Sequence, residues 1–329
     1  MKAFEYAAPL YEADVLELLS AEPGTTEILA GGTDLIGLMK KMIITPDRVV
    51  NIKEVASLGG IERDSLGVTI GAVTTLDDIL ESPDLDDYPA LKQAIRCINS
   101  PQIQAQGTIG GELCQRPRCW YFRQGDGLLA QAGRLVAEGE NRYHAILGNL
   151  GPAKFVHASR LAPALLAVEA SVRIIGPGPE DETIMPLADF FRTPRHERQR
   201  EHVLEPNQLL THILLPPVDG FTSASYEVRH GEGPDYPLVA AAAALRTTGG
   251  LVTQANVVMG HVAPVPWLSA SAAEALLGRP VNEATARAAG EAALVSATPL
   301  SGNGYKVKLA RVAVQRAVLL AAGLETGGF

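Results

Sequence analysis

The stretch "TTEILAGGTDLIGLMKKMIITPDRVVNI", residues 25–52, decides the fold. Residues 27–30 read as a short strand that runs into a turn at Gly31 and Gly32. An amphipathic helix over about 34–42 follows, then Pro46 and a second strand, "RVVNI". Together they predict a compact βαβ unit over residues 26–52. Glycines between a strand and a helix permit a tight turn and let backbone N–H groups approach a ligand closely.

Working outward, "YEADVLELLS" (11–20) has an apolar period near 3.6 and reads as a short helix. "SLGGIERDSLGVTIGAVTTLDDILES" reads as two strands and a helix, with Thr75 or Thr74 as N-cap and Asp77 and Asp78 in the first turn. A helix at 89–99 leads into a second glycine segment, "GTIGGEL" (107–113). Two such loops about 75 residues apart could grip the two halves of one pyrophosphate. Neither matches G-x-G-x-x-G or the G-K-S/T of a P-loop, which excludes a Rossmann unit. Taken singly, each Gly-Gly pair also reads as nothing more than a turn.

The later segments complete the outline. "NRYHAILGN" and the alternating "ASVRIIG" read as strands separated by a helix at about 159–168, and "DETIMPLADFFRT" as a strand turning into a short helix. The strand "LLTHILLPP" (209–217) ends in two prolines, and a domain boundary is placed there. Strands, an alanine-rich stretch and three helices follow, giving an α+β domain with helices on one sheet face.

The totals restrict function. The 329 residues are 47% hydrophobic and 20% charged, as in ordinary globular proteins, and suffice for two or three domains. The net charge of −9 argues against non-specific nucleic-acid binding. Three cysteines make no disulfide scaffold and fit a reducing compartment. No signal peptide and no membrane-length apolar run is legible, so a soluble, cytoplasmic protein is expected. No Ser-His-Asp, zinc or paired-carboxylate pattern stands out; neither catalytic nor metal-binding residues are assigned.

"ILAGGTDLIGLMKK…VVNI" with "GTIGG" resembles the FAD-binding subunit of the molybdenum hydroxylases, the xanthine dehydrogenase, carbon monoxide dehydrogenase and aldehyde oxidoreductase group. "TIGAVTTLDDI" (69–79), "HASRLAPALLAVEASVRI" (157–174), "DYPLVAAAAAL" (235–245) and "GHVAPVPWLSASAAEALLGRPVNEAT" (260–285) extend the resemblance over essentially the whole chain. It implies a vanillyl-alcohol-oxidase (PCMH) type FAD-binding domain of two α/β subdomains (1–55 and 56–217), plus an α+β domain over 218–329. The implied FAD contacts are Ala30, Gly31, Gly32, Thr33, Asp34 and Leu35 in the first loop. In the second they are Gly107, Thr108, Ile109, Gly110 and Gly111, with Gly71 and Thr74 from the block between. The implied partners are a large molybdopterin-binding subunit and a small subunit with two 2Fe–2S clusters, in a heterotrimer or a dimer of heterotrimers. Electrons would pass from the nearer cluster to the flavin, then to NAD⁺, oxygen, a quinone or another acceptor. A cofactor-depleted structural subunit of such a complex is the rival reading.

The segment 114–148 resembles relatives that carry a 4Fe–4S cluster in the flavin subunit. The flanks "QRPRCWYFR" (115–123) and "ENRYHAILG" (140–148) are present, but "QGDGLLAQAGRLVAEG" between them has no cysteine. A cubane normally takes four thiolates, whereas this chain has Cys114, Cys119 and a distant Cys97. The loop therefore reads as one that has lost its cluster. Glu112 and Arg160 stand where relatives usually have asparagine and aspartate, which puts cofactor affinity in question. The stretch with His196, His202 and His212 reads as a solvated face and Lys306 and Lys308 as surface residues. The resemblance implies a loop near the flavin ring around His230, and Tyr236 reads equally as part of that loop or as a core or hinge residue.

Overall fold

The computed structural model describes residues 1–231, 233 and 235–326. The N-terminal layer is a parallel sheet of β1 (Glu5–Ala7), β2 (Thr26–Leu29) and β3 (Arg48–Asn51), in the order β1-β3-β2. Helices α1 (Glu12–Leu18) and α2 (Leu35–Lys40) connect them. The period in α1 places Val15 and Leu16 in a core with Val50, Ile52, Ile175 and Leu209. β2 lies at the sheet edge, which leaves the turn after it open.

The second sheet is antiparallel and contains β4 (Ile61–Asp64), β5 (Gly67–Gly71), β6 (Ser171–Ile175), β7 (Glu182–Pro186) and β8 (Leu209–Leu215), in the order β4-β5-β8-β6-β7. Between β5 and β6 come α3 (Leu76–Glu81), α4 (Pro89–Arg96), α5 (Pro101–Gln106), α6 (Ile109–Cys114), α7 (Trp120–Gln124), α8 (Arg134–Glu138) and α9 (Ala162–Ala167). A short α10 (Leu187–Phe190) follows β7. Thr75 caps α3 in a reciprocal capping box with Asp78.

The third sheet, in the order β12-β11-β10-β9, is built from β9 (Phe221–Val228), β10 (Val239–Thr248), β11 (Leu251–Gly260) and β12 (Trp267–Leu268). Helices α11 (Ala270–Leu276), α12 (Glu283–Ala292) and α13 (Tyr305–Ala321) cover one face. The other face is covered too. Ala242 and Ala244 of β10 join the core of the second sheet, while Ala241, Ala243 and Leu245 join that of the C-terminal helices. The alternation is thus apolar on both faces, and methyl-sized side chains let the layers approach.

The expected strand "NRYHAILGN" does not form. Residues 141–149 are an irregular, mostly buried segment. Its amides at 145–147 donate to the carbonyls of Lys154 and Val262 without forming a ladder, and side chains meet several of its carbonyls. Asn303 donates to the carbonyls of His144 and Ala145 at 3.1 Å each, and Lys306 Nζ to those of Tyr143, His144 and His261. Lys306 is 1% exposed, against the surface position expected for it. His202 is also buried and stacks on Phe190 with ring centroids 5.4 Å apart, which corrects the solvated reading for that residue, while His196 is exposed as expected.

Candidate flavin-binding site

The chain leaves β2 at Leu29 and turns through Gly32, whose φ of +72° favours glycine. Gly31 has no room for a side chain, because a Cβ there would overlap the Gln106 carbonyl oxygen and lie 3.1 Å from Gly107 Cα. The two glycine segments, far apart in sequence, therefore touch. Among the described residues no protein acceptor receives the backbone N–H groups of Ala30 to Leu35. Thr33 is exposed, and the others are half-buried. A run of unpaired amides beside a close backbone contact suits an anion such as a phosphate.

The second segment is built differently. Thr108 caps α6, with its hydroxyl accepting from Gly111 N at 3.2 Å. Ile109 N donates to the Thr74 carbonyl at 3.1 Å, Gly110 N to that of Ala72 at 2.9 Å, and Glu112 N to that of Thr108 at 2.8 Å. Gly107 receives Leu76 N at 3.1 Å and donates to Ile103. Among the amides of 107–112 only that of Thr108 lacks a protein acceptor. A Cβ on Gly110 would sit 2.8 Å from Ala72 Cβ, so this glycine serves close approach between segments. Gly111 is exposed and faces away from the core. Gly71 and Thr74 hold the turn at 58–60. A Cβ on Gly71 would overlap the Leu58 carbonyl, and the Thr74 hydroxyl donates to Gly60 O at 3.0 Å.

Asp34 points away from the amides into the arginine-rich segment. Its carboxylate accepts from Arg116 N at 2.8 Å and Arg123 at 2.8 Å, and pairs with Arg118 at 3.1 Å. Arg116 continues to Glu201 at 3.2 Å, and Arg200 lies 3.7 Å from both Glu27 and Glu201. Sequence reading set these arginines beside aromatics without finding their partner. The signal was the lone carboxylate in the glycine loop.

Gln115 is the next junction. Its Nε2 donates to Glu112 Oε2 at 2.6 Å, while its Oε1 accepts from Tyr236 Oη at 2.8 Å and Arg118 at 2.9 Å. Glu112 Oε1 accepts from Arg160 N at 2.8 Å, so the two departures flagged in the sequence are direct neighbours. Burial pushes the Glu112 carboxyl up to about 7, against the opposing pull of the Arg160 amide and the guanidinium groups of Arg160 and Arg118. The Arg160 guanidinium meets Glu227 at 3.7 Å and the carbonyls of Cys97 and Asp235, and lies over the Tyr236 ring. It thus ties the C-terminal domain to the rest. Burial likewise pushes the Tyr236 hydroxyl up to about 12.

Beside this network lies a pocket of ≈ 280 Å³, walled by Trp120, Tyr143, His144, Tyr236 and His261, with Arg118 on its lining. His230 borders it too; Glu232 and Pro234 of the same loop lie outside the described residues. Cys119 Sγ is 3.1 Å from His144 Nε2. Burial and Lys306 drop His144 to about 4, and burial raises the Cys119 thiol, so both are neutral near pH 7. Burial pushes Cys114 up to about 12. Among the described residues no three His, Cys, Asp or Glu side chains converge to hold a metal ion.

Comparison with known proteins shows the family of the chain. Residues 2–218 match the family described as the FAD binding domain in molybdopterin dehydrogenase, and residues 224–321 the CO dehydrogenase flavoprotein C-terminal domain. The chain is 32% identical over 317 residues to the aldehyde oxidoreductase FAD-binding subunit PaoB of Escherichia coli, covering 94% of this chain and 96% of that one. It is 25% identical over 320 residues to the carbon monoxide dehydrogenase medium chain of Hydrogenophaga pseudoflava, covering 96% of each. A carbon monoxide dehydrogenase structure from that organism superposes with a TM-score of 0.77 at 25% identity, over 97% of both chains. Quinoline 2-oxidoreductase from Pseudomonas putida 86 also reaches 0.77, at 22% identity, and shares the fold.

Proposed function

The chain belongs to the FAD-binding family of the molybdopterin dehydrogenases, and from that premise we propose how its residues serve an electron-transfer flavoprotein subunit of a heterotrimeric molybdenum hydroxylase. The observation that carries the reading is the run of unpaired amides from Ala30 to Leu35. Those amides, with Thr108 N, would hold the FAD pyrophosphate, and the exposed Gly111 would leave room beside it. Gly31, Gly107 and Gly110 bring the segments close enough, and Gly71 and Thr74 support the turn behind them. Ile109 is fully buried and anchors α6. The ring would lie in the pocket between Trp120 and Tyr236, next to the C-terminal domain (218–329). FAD supplies the electron-accepting chemistry when bound. The chain supplies binding, exclusion of water by aromatic walls, and the charges around the ring.

The finer proposal gives this subunit two partners in the cytoplasm, a large molybdopterin subunit and a small one with two 2Fe–2S clusters. Electrons come from the nearer cluster and leave to NAD⁺, oxygen, a quinone or another acceptor. Among the described residues no helix is long and apolar enough to cross a membrane. The test is to purify the complex through a tag on this chain and measure flavin, molybdenum and iron. Bound FAD with molybdenum and about four irons per protomer set is expected. About eight irons would place a cubane on the Cys119 loop. A folded complex without flavin would overturn the reading in favour of a structural subunit.

A further inference from the structure

Arg118 occupies the wall between the amide cradle and the aromatic pocket. Its guanidinium pairs with Asp34 at 3.1 Å, donates to Gln115 Oε1 at 2.9 Å, and lies 4.8 Å from the Tyr236 ring centroid. Asp34 already pairs with Arg123 at 2.8 Å, so one carboxylate is shared by two cations. These three side chains together carry one positive charge, which the Glu112 carboxyl, raised to about 7 by burial, offsets only in part. Arg118 Nε is buried and has no acceptor among the described residues. The other arginines nearby are committed elsewhere. Arg116 is held by Glu201, Arg123 also donates to the carbonyls of Pro117 and Arg116, and Arg160 is anchored by carbonyls and Glu227. Asp235 borders the same pocket but forms no ion pair with Arg118 among the described residues. A surplus cation and an unmatched donor beside a planar-walled pocket favour a ligand that becomes more negative there.

Resting on the flavin reading above, we propose that Arg118 is the charge-tuning residue of this subunit, stabilising the reduced flavin over the oxidised one. Uptake of two electrons and one proton gives the flavin one more negative charge than it had when oxidised. A fixed cation beside the ring lowers the free energy of that form alone. Arg118 thereby makes the flavin a better acceptor for electrons arriving from the iron–sulfur partner.

The test uses the full chain loaded with FAD, as wild type, Arg118→Gln and Arg118→Lys. Midpoint potentials are read by equilibration with a dye of known potential, and FAD affinity by fluorescence titration. Arg118→Gln should lower the potential by about 30 mV, a tenfold loss of preference for the reduced form in a two-electron couple. Arg118→Lys keeps the charge and should shift it less, in the same direction, and gives the comparison even where the glutamine chain fails to fold. An unmoved potential with weaker FAD binding would assign the guanidinium to the pyrophosphate and overturn the proposal. Unmoved potential and affinity would leave Arg118 only fastening Asp34, which also overturns it. A wild-type chain that takes up no FAD would instead sink the flavin reading itself, before any variant is compared.

Discussion

Gly31 is the residue with least freedom to change. Any Cβ there meets backbone of the second glycine segment, and backbone cannot swing aside as a long side chain can. Gly31→Ala should push the two segments apart, destabilising the fold by about 1–3 kcal/mol and weakening FAD binding at least tenfold in a fluorescence titration. Unchanged affinity would show that the amides of Ala30 to Leu35 do not need the second segment behind them. Glu112 offers a test by pH. Its carboxyl sits at about 7, above the ordinary 4.5, because burial disfavours the charge. The folded chain therefore keeps a proton that the unfolded chain has already lost, and this residue's contribution to stability falls as pH rises from 4.5 to 7. Glu112→Gln does not titrate. Between pH 5.5 and 8 the variant should gain about 2 kcal/mol on wild type in urea unfolding. A difference that stays constant with pH would mean that the Arg160 and Arg118 charges already keep the carboxylate ionised throughout.

Among the elements, the arginine-rich segment running into α7 depends most on a distant partner. Its loop and short helix bury little more than Phe122, and Asp34 fastens Arg116, Arg118 and Arg123 together. Asp34→Ala leaves two guanidinium groups without their carboxylate, which should make local opening easier by about 1.4 kcal/mol. Limited trypsinolysis should then cut after Arg118 and Arg123 roughly tenfold faster, while sites in α13 keep their wild-type rate. Equal cutting at both places would mean that the whole chain, and not this segment, had loosened. Element types were legible where the periodicity was clear, as in α1, β4, β5, the capped α3 and the helices α11 to α13. Residues 141–149 were misread as a strand because their apolar run cannot reveal that Asn303 and Lys306, more than 150 positions away, take the carbonyls. The "GTIGG" segment gave no sign that its Ile109 and Gly110 amides would be consumed by the carbonyls of Thr74 and Ala72.

At the level of the whole molecule, Lys306 ties the last helix to the central segment. It is buried and donates to three carbonyls, those of Tyr143 and His144 in the irregular segment 141–149 and His261 just after β11. Lys306→Met fills similar space but leaves three buried acceptors without this donor, and should destabilise the chain by about 3 kcal/mol in chemical unfolding. A variant as stable as wild type would show that Asn303 and solvent can satisfy those carbonyls.

The sequence by itself determined the class of fold, the order of the blocks and the first glycine loop, because periodicity, caps and glycine turns are local properties of neighbouring residues. The absence of cysteines between 119 and 144 was equally plain. Only the tertiary structure decided where charges and hydrogen bonds go. It set Asp34 among three arginines, joined Glu112 to Arg160, brought Arg118 to the pocket, and buried β10 on both faces. Those outcomes depend on side chains tens to hundreds of residues apart, and burial sets the strength of each interaction. No local pattern in the chain carries either quantity.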